Sequence, residues 1–276
     1  MSTSINTTNH LQVIPSGAAL GAEIKGLDLS QALAQDVVDA VHQALLDHCV
    51  LVFRDQDISE DHQVRFTNYF GKAVEHVRKQ LERPVKEVFL VSNIQENGQA
   101  IGALSNAEIS FHSDLSYLPE PGTLSLLYAR EIPDEGGDTY WCDCYAAYDA
   151  LSDTMKQQLD GVRAVHRHYV EDQNPETPAS HPVACTHPNT GRKALYVGPH
   201  LTKYIEGVSA DESDALLAQL YEHALHPEFI YAHRWHVDDL VVFDNRCTMH
   251  RRDPFPDNLR RVIWRTQIFN DIAPIP

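Results

Sequence analysis

No apolar run in this 276-residue chain approaches the roughly 18 residues that a membrane-crossing helix needs. The opening residues, MSTSINTTNHLQ, lack the basic start and apolar stretch of a secretory leader. Residues 1–12 are therefore expected to form a short, polar, disordered tail. Cysteine is sparse. The five residues Cys49, Cys142, Cys144, Cys185 and Cys247 are odd in number and show no framework spacing, so free thiols in a reducing cytoplasm are expected. Positive charge is short too: 22 Lys and Arg stand against 39 Asp and Glu, a formal charge of −17. That balance argues against wrapping nucleic acid, which needs a basic surface. It does not exclude a small anionic substrate, which answers to local charge. No Pro/Gly/Ser-rich linker and no internal repeat divides the chain, so one domain over 13–276 is expected, without nucleic-acid or membrane partners.

What is present is a globular composition, 43% hydrophobic and 22% charged. SQALAQDVVDAVHQALLDH (30–48) carries apolar residues at helical spacing, and the following CVLVFRD (49–55) reads as a buried strand. Ser59 opens a second helix that ends near Gly71. KEVFLVS (86–92), SLLYARE, DTYWCD, VRAVHRHYV, HPVACTH and KALYV are short strand-like runs between Pro, Gly and Asn turns. AAYDALSDTMKQQL (146–159) and DESDALLAQLYEHAL (211–225) have helical spacing. DDLVVFDN (238–245) and LRRVIWRTQIFN (259–270) return to strands. The pattern predicts a mostly β protein with helical insertions (α+β): a β-sandwich or jelly roll (double-stranded β-helix) core flanked by helices.

FHSDLSY (111–117) sets His112 and Asp114 two apart, on one side of a strand if they lie in one. Alone this is an ordinary pairing, and His226-Pro227-Glu228 and His236-Val237-Asp238 show the same spacing. A second histidine changes its meaning, because two neutral imidazoles and one carboxylate make a facial set for Fe(II) with three positions open. VVFDNRCTMHRRD delivers His250 at the end of an apolar strand. His236 is too close to His250 for two strands to cross a sandwich between them, so His112 is the better partner. In RRVIWRTQI, Arg261 and Arg265 share a face while Val262, Trp264 and Ile268 take the other. Two arginines on so apolar a strand call for anions, either ligands or structural carboxylates. Gly136-Gly137 reads as a turn, since no Gly-Lys-Ser/Thr follows. Cys142-x-Cys144 has no partner pair for zinc, and Cys247 would point away from His250. His166 and His168 are read as surface or satisfied core residues.

Taken together the chain resembles the taurine dioxygenase (TauD/TfdA) family of Fe(II)/2-oxoglutarate-dependent dioxygenases, over nearly its whole length. The resemblance rests on GAALGAEIKGLDLS, HCVLVFRDQDIS, FHSDLSY, EIPDEGGDTYWCDCYAAYDALS, HPVACTHPNTGRKALYV and DNRCTMHRRDPFPDNLRRVIWRTQI, in this order. It implies that His112, Asp114 and His250 bind Fe(II), and that Arg261 with the Thr139 hydroxyl holds the far carboxylate of 2-oxoglutarate. Arg265 would lie near the iron-side carboxylate and the substrate's anionic group, and His76 would touch the substrate. It further implies O2 as oxidant, succinate and CO2 as products, and a dimer or tetramer. Retention of Asp114 implies hydroxylation and not halogenation.

Departures from the taurine enzymes bear on the substrate. Glu108 stands where they have Asn, Lys79 where they have a substrate-contacting Tyr, Phe111 where they have Trp, and Cys185 where they have Arg. A small organic anion such as a sulfonate or aryloxyalkanoate is the expected substrate class, with loss of the adjacent heteroatom group where there is one. The rival readings are a biosynthetic hydroxylase or desaturase of an amino-acid-like or larger metabolite, favoured if Glu108 and Lys79 line the pocket, and a non-catalytic jelly-roll binding protein.

Overall fold

The computed structural model describes residues 11–78, 80–103, 106–269 and 273–276. Its layers follow from strand alternation. In the strand Val50–Phe53, Val50 and Val52 enter one core while Leu51 and Phe53 enter another. Leu240–Asp244 repeats this, with Val241 and Phe243 on one side and Leu240 and Val242 on the other. Strands apolar on both faces must be covered on both, and here they are.

The larger sheet has eight strands. Its order is Gln12–Pro15, Ala22–Lys25, Val50–Phe53, Leu240–Asp244, Gly122–Glu131, Val262–Phe269 and Ala73–Val74, with Phe89–Ser92 also paired to Val262–Phe269. Helices Gln35–His48 and Glu60–Asn68 cover its outer face, the first through Val37, Val41, Ala44 and Leu45. Ser59 caps the second helix, accepting from the His62 amide while His62 Nδ1 accepts from the Ser59 amide. Against the inner face lies a four-stranded sheet, ordered Ile230–His233, Thr139–Asp143, Thr248–Arg252 and Ile109–His112. Trp141 meets Phe243 between the sheets, ring centroids 5.4 Å apart. Helices Cys144–Asp149 and Ala210–Ala224 pack behind the smaller sheet. The protein is mostly β with few helices, as expected.

Several boundaries differ from expectation. Residues 1–10 of the expected tail lie outside the described residues, but Gln12 opens a strand whose amides pair with Ala22–Lys25, and Leu11 and Val13 pack on the outer core. The helix expected from Ser30 begins at Gln35, because Asp28 accepts from the Ser30 amide and closes a turn there. The single helix expected over 146–159 is two, Cys144–Asp149 and Asp153–Gln158. Asp143 and Ser152 each cap one, accepting from the Ala146 and Met155 amides, so a second start signal interrupts the apolar spacing. HPVACTH is likewise two short strands, Ala179–Pro182 and Ala184–Thr186. All five cysteines are free and buried, and among the described residues no helix is long and apolar enough to cross a membrane.

Candidate functional site

His112 ends the strand Ile109–His112, and its register partner across the antiparallel pair is His250 of Thr248–Arg252. Directly opposed residues face the same side of a sheet, so both imidazoles enter the space between the sheets. Asp114 sits two residues on, where the chain has left the smaller sheet, and is gripped by the larger one. Its amide donates to Asn245 Oδ1 at 3.0 Å, and its Oδ2 accepts from Ser125 Oγ at 2.7 Å and Gln267 Nε2 at 3.0 Å. Leu115, next in the chain, has φ of 58°, a left-handed conformation that a branched apolar residue adopts only under constraint.

These elements bring three ligand atoms within 4.8 Å of one another, the one such histidine, cysteine or acidic cluster among the described residues. Asp114 Oδ1 lies 3.8 Å from His112 Nε2 and 4.0 Å from His250 Nε2. His112 Nδ1 lies 2.8 Å from the Ser110 carbonyl, which places its proton there and turns the Nε2 lone pair toward the cluster. Burial, with the neighbouring His250, pushes the His112 imidazole down to about 4. Burial lowers His250 as well. Burial pushes the Asp114 carboxyl up, but Arg265 and the two imidazoles outweigh it and hold the group well below the usual range. Two neutral nitrogens and one carboxylate oxygen therefore stand ready at neutral pH. This donor set suits a divalent first-row metal such as Fe(II).

Two cavities meet at this cluster, both lined by Val91, Ile109, His112, Asp114 and Arg265. The smaller, about 90 Å³, runs to Thr139, Arg252 and Arg261. Arg261 is 3% exposed, and burial, with the neighbouring Arg252, pulls its guanidinium down to about 9. Its Nε has no hydrogen-bond partner among the described residues, so a buried cation faces this cavity with a donor to spare. Gly137, at φ of 75°, leaves room for it: a Cβ there would stand 3.0 Å from Pro133 and 3.6 Å from Arg261 Nε. Thr139 Oγ1 accepts from Trp235 Nε1 at 2.9 Å, which leaves its own proton to donate. A dicarboxylate fits this lobe, with one end on Arg261 and Thr139 and the other at the metal cluster.

The larger cavity, about 590 Å³, opens to the surface and is lined by His76, Glu108 and Arg265 from the expected site. Arg265 is partly buried, its Nη1 3.5 Å from Asp114 Oδ1 and its Nη2 against His76 Nε2. Burial, then the Arg265 charge, drives His76 down to about 2, so it is neutral. Its Nδ1 accepts from the Arg78 amide at 2.9 Å, which puts the proton on Nε2. Two donors thus converge with no acceptor between them. Glu108 lies at the rim, 3.7 Å from Arg251, which offsets its charge. Lys79 lies outside the described residues.

Sequence reasoning did not find Arg78, Tyr117, Tyr169 or His200 in the larger cavity, nor Arg252 in the smaller. They come from loops or lie beside motifs already assigned, and no spacing marks them. His168, read as surface or core, is buried but also lines the larger cavity. His166 is buried, with Nδ1 3.1 Å from Ser116 Oγ. The decoy Asp238 is taken by Tyr128 and Arg130. The thiols of Cys142, Cys144 and Cys247 face backbone carbonyls, away from the cluster. Gly136 and Gly137 form a turn with φ of 72° and 75°.

A family model described as "Taurine catabolism dioxygenase TauD, TfdA family" matches residues 12–267. The chain is similar to an alpha-ketoglutarate-dependent 2,4-dichlorophenoxyacetate dioxygenase from Cupriavidus pinatubonensis, with 34% identity across 93% of this chain and 97% of that one. It is equally similar, at 34% identity, to a pentalenolactone F synthase from Streptomyces avermitilis, across 93% and 94% of the two chains. Among solved structures it superposes on AAD-2 in complex with Mn(II) and N-oxalylglycine, with a TM-score of 0.83, 30% identity and 96% and 99% coverage.

Proposed function

The chain belongs to the TauD, TfdA family of Fe(II)- and 2-oxoglutarate-dependent dioxygenases, and from that footing we propose which residues carry the reaction and what they act on. His112, Asp114 and His250 hold Fe(II), and Arg261 with Thr139 holds the far carboxylate of 2-oxoglutarate. The observation that carries this reading is the meeting of two cavities at three ligand atoms within 4.8 Å. When bound there, iron, 2-oxoglutarate and O2 supply the oxidising power: the cosubstrate becomes succinate and CO2, and one oxygen atom enters a substrate C–H bond.

The chain's own residues do the positioning. Ser110 fixes the His112 tautomer, and Thr139, which accepts from Trp235 through one lone pair, still has its proton to donate to the cosubstrate. In the larger cavity the His76 Nε2 proton and the Arg265 guanidinium converge, which suits an anionic oxygen bridging both donors from the cavity side. Phe89, Val91, Ile109 and Leu115 line the same space, so the body of the substrate is apolar. A cavity of about 590 Å³ is also roomy for a very small sulfonate, which favours an organic anion with a ring or longer chain. The curated relatives named for a 2,4-dichlorophenoxyacetate and an alkylsulfate activity support an aryloxyalkanoate or sulfate-ester type substrate. A hydroxyl set beside a heteroatom would then release that group.

The second reading, a biosynthetic hydroxylase or desaturase of a larger metabolite, draws support from the relative named pentalenolactone F synthase and from the acid Glu108 at the rim. The proposal includes a jelly-roll core formed by the two facing sheets, one domain over 13–276, and a cytoplasmic dimer or tetramer with no nucleic-acid or membrane partner. Five free, buried thiols support the reducing compartment.

The test is anaerobic titration of Fe(II) and 2-oxoglutarate into the purified protein, followed by a screen of aryloxyacetates, alkyl sulfates and sulfonates for succinate formation. A visible charge-transfer band that His112→Ala abolishes is expected. A folded wild-type protein without the band would overturn the reading and leave a binding protein in its place.

A further inference from the structure

Asp114 is held by a closed ring of hydrogen bonds that neither the metal cluster nor the cavities account for. Asn245 Oδ1 accepts from the Asp114 amide, and Asn245 Nδ2 donates to Ser125 Oγ at 3.0 Å. Gln267 Nε2 also donates to Ser125 Oγ at 3.0 Å, and Ser125 Oγ lies 2.7 Å from Asp114 Oδ2. A hydroxyl has two acceptor sites and one proton. Both acceptor sites of Ser125 are filled by N–H donors, so its proton has one direction left, toward Asp114 Oδ2. Gln267 Nε2 adds a second donor to that same oxygen. Ser125 and Gln267 are register partners on adjacent strands, Gly122–Glu131 and Val262–Phe269, and all three supporting side chains are at most 2% exposed.

Resting on the iron reading above, we propose that Ser125, seated by Asn245 and Gln267, is the positioning residue that limits Asp114 to a single metal-binding oxygen. Oδ2 is saturated and turned to the larger sheet; Oδ1 alone faces the two imidazoles. A carboxylate free to rotate could bind through both oxygens and fill one of the places that 2-oxoglutarate needs. Ser125 thus acts on cosubstrate binding more than on metal retention, although it touches neither.

The experiment compares wild type, Ser125→Ala, Ser125→Thr and Gln267→Met as purified proteins under anaerobic conditions. Fe(II) affinity is measured first, then 2-oxoglutarate affinity of the iron-loaded protein by its charge-transfer band, with melting temperature recorded throughout. In Ser125→Ala the Kd for 2-oxoglutarate is expected to rise about tenfold or more while that for Fe(II) changes less than about threefold. Ser125→Thr, which keeps the hydroxyl, restores the value, and Gln267→Met shifts it in the same direction by less. An unchanged 2-oxoglutarate Kd in Ser125→Ala overturns the proposal. So does an equal loss of both affinities alongside a lowered melting temperature, the mark of a merely structural role. Absence of the band in wild type is a different result: it removes the iron reading itself.

Discussion

His112 and His250 oppose each other across one antiparallel strand pair, with ring centroids 4.3 Å apart, although 137 residues separate them along the chain. Neither residue can be moved by a loop; both are fixed by the register of the smaller sheet. The proposed metal site is therefore as rigid as the sheet that carries it. Asp114 completes it from the turn that follows His112, held there by Ser125 and Gln267 of the larger sheet, so the site closes only when the two sheets pack.

Loss of one imidazole should remove metal and spare the fold. His112→Ala is expected to show no Fe(II)/2-oxoglutarate band and no rise in melting temperature when Fe(II) is added anaerobically, whereas the wild type gains stability on binding. Its metal-free melting temperature should stay within a few degrees of the metal-free wild type. Calorimetry with and without Fe(II) makes the comparison.

Arg261 should matter to the cosubstrate alone. A buried guanidinium pairing a carboxylate contributes about 1.5–3 kcal/mol, so Arg261→Met is expected to weaken 2-oxoglutarate about 10- to 100-fold. Fe(II) affinity should change little, because Arg261 lies in the lobe beyond the cluster. An unaltered 2-oxoglutarate Kd in the folded variant would remove Arg261 from the cosubstrate lobe.

His76 lines the larger cavity, the proposed substrate side. In His76→Ala, uncoupled conversion of 2-oxoglutarate to succinate should continue, while KM for whichever anion the screen identifies rises about tenfold. A lowered uncoupled rate with unchanged KM would instead tie His76 to the cosubstrate.

Stability should fall with acid before any carboxylate titrates. Burial lowers His76 to about 2 and, with the neighbouring His181, His166 to about 3. Unfolded, both titrate near 6.5. Below that pH the unfolded chain takes up protons that the folded chain refuses, so stability is full above about 6.5 and declines as pH drops from there. Urea midpoints should be level between pH 7 and 8 and fall from pH 6.5 to 5. His166→Gln should flatten that slope.

Phe53 tests the division of labour between cores. It is fully buried on the outer face of the larger sheet, away from the cavities. Phe53→Ala is expected to cost about 3–5 kcal/mol of stability, with 2-oxoglutarate affinity preserved in the fraction that remains folded. Chemical unfolding and the band titration together check it.

The parts of this molecule legible in its sequence are those written as local pattern. Ser59 marked a helix start, and the apolar runs around Val50 and Val241 marked buried strands. FHSDLSY and the later His250 drew together as one site because strand alternation and a sandwich leave few other ways to satisfy them. What escaped were contacts made across space without a spacing to announce them. Ser125 reads as a polar interruption in an apolar strand, and its reason appears only when Gln267 is set beside it by register. Tyr169 and His200 reach the cavity from segments whose course no periodicity fixes. The break between Asp149 and Asp153 escaped for another reason: Ser152 could continue a helix or begin one, and local spacing favoured the first.

Arg261 and Arg265 stand four residues apart, Arg261 just before and Arg265 within the strand Val262–Phe269; Arg261 lines the smaller lobe and Arg265 borders both. That segment works as a ruler, holding the interval between the two proposed anion seats by backbone geometry. Substitution of the residues around the larger cavity can retune what enters without disturbing the interval. New substrates are thus open to this scaffold by changes at its rim, while the machinery that consumes 2-oxoglutarate is inherited whole.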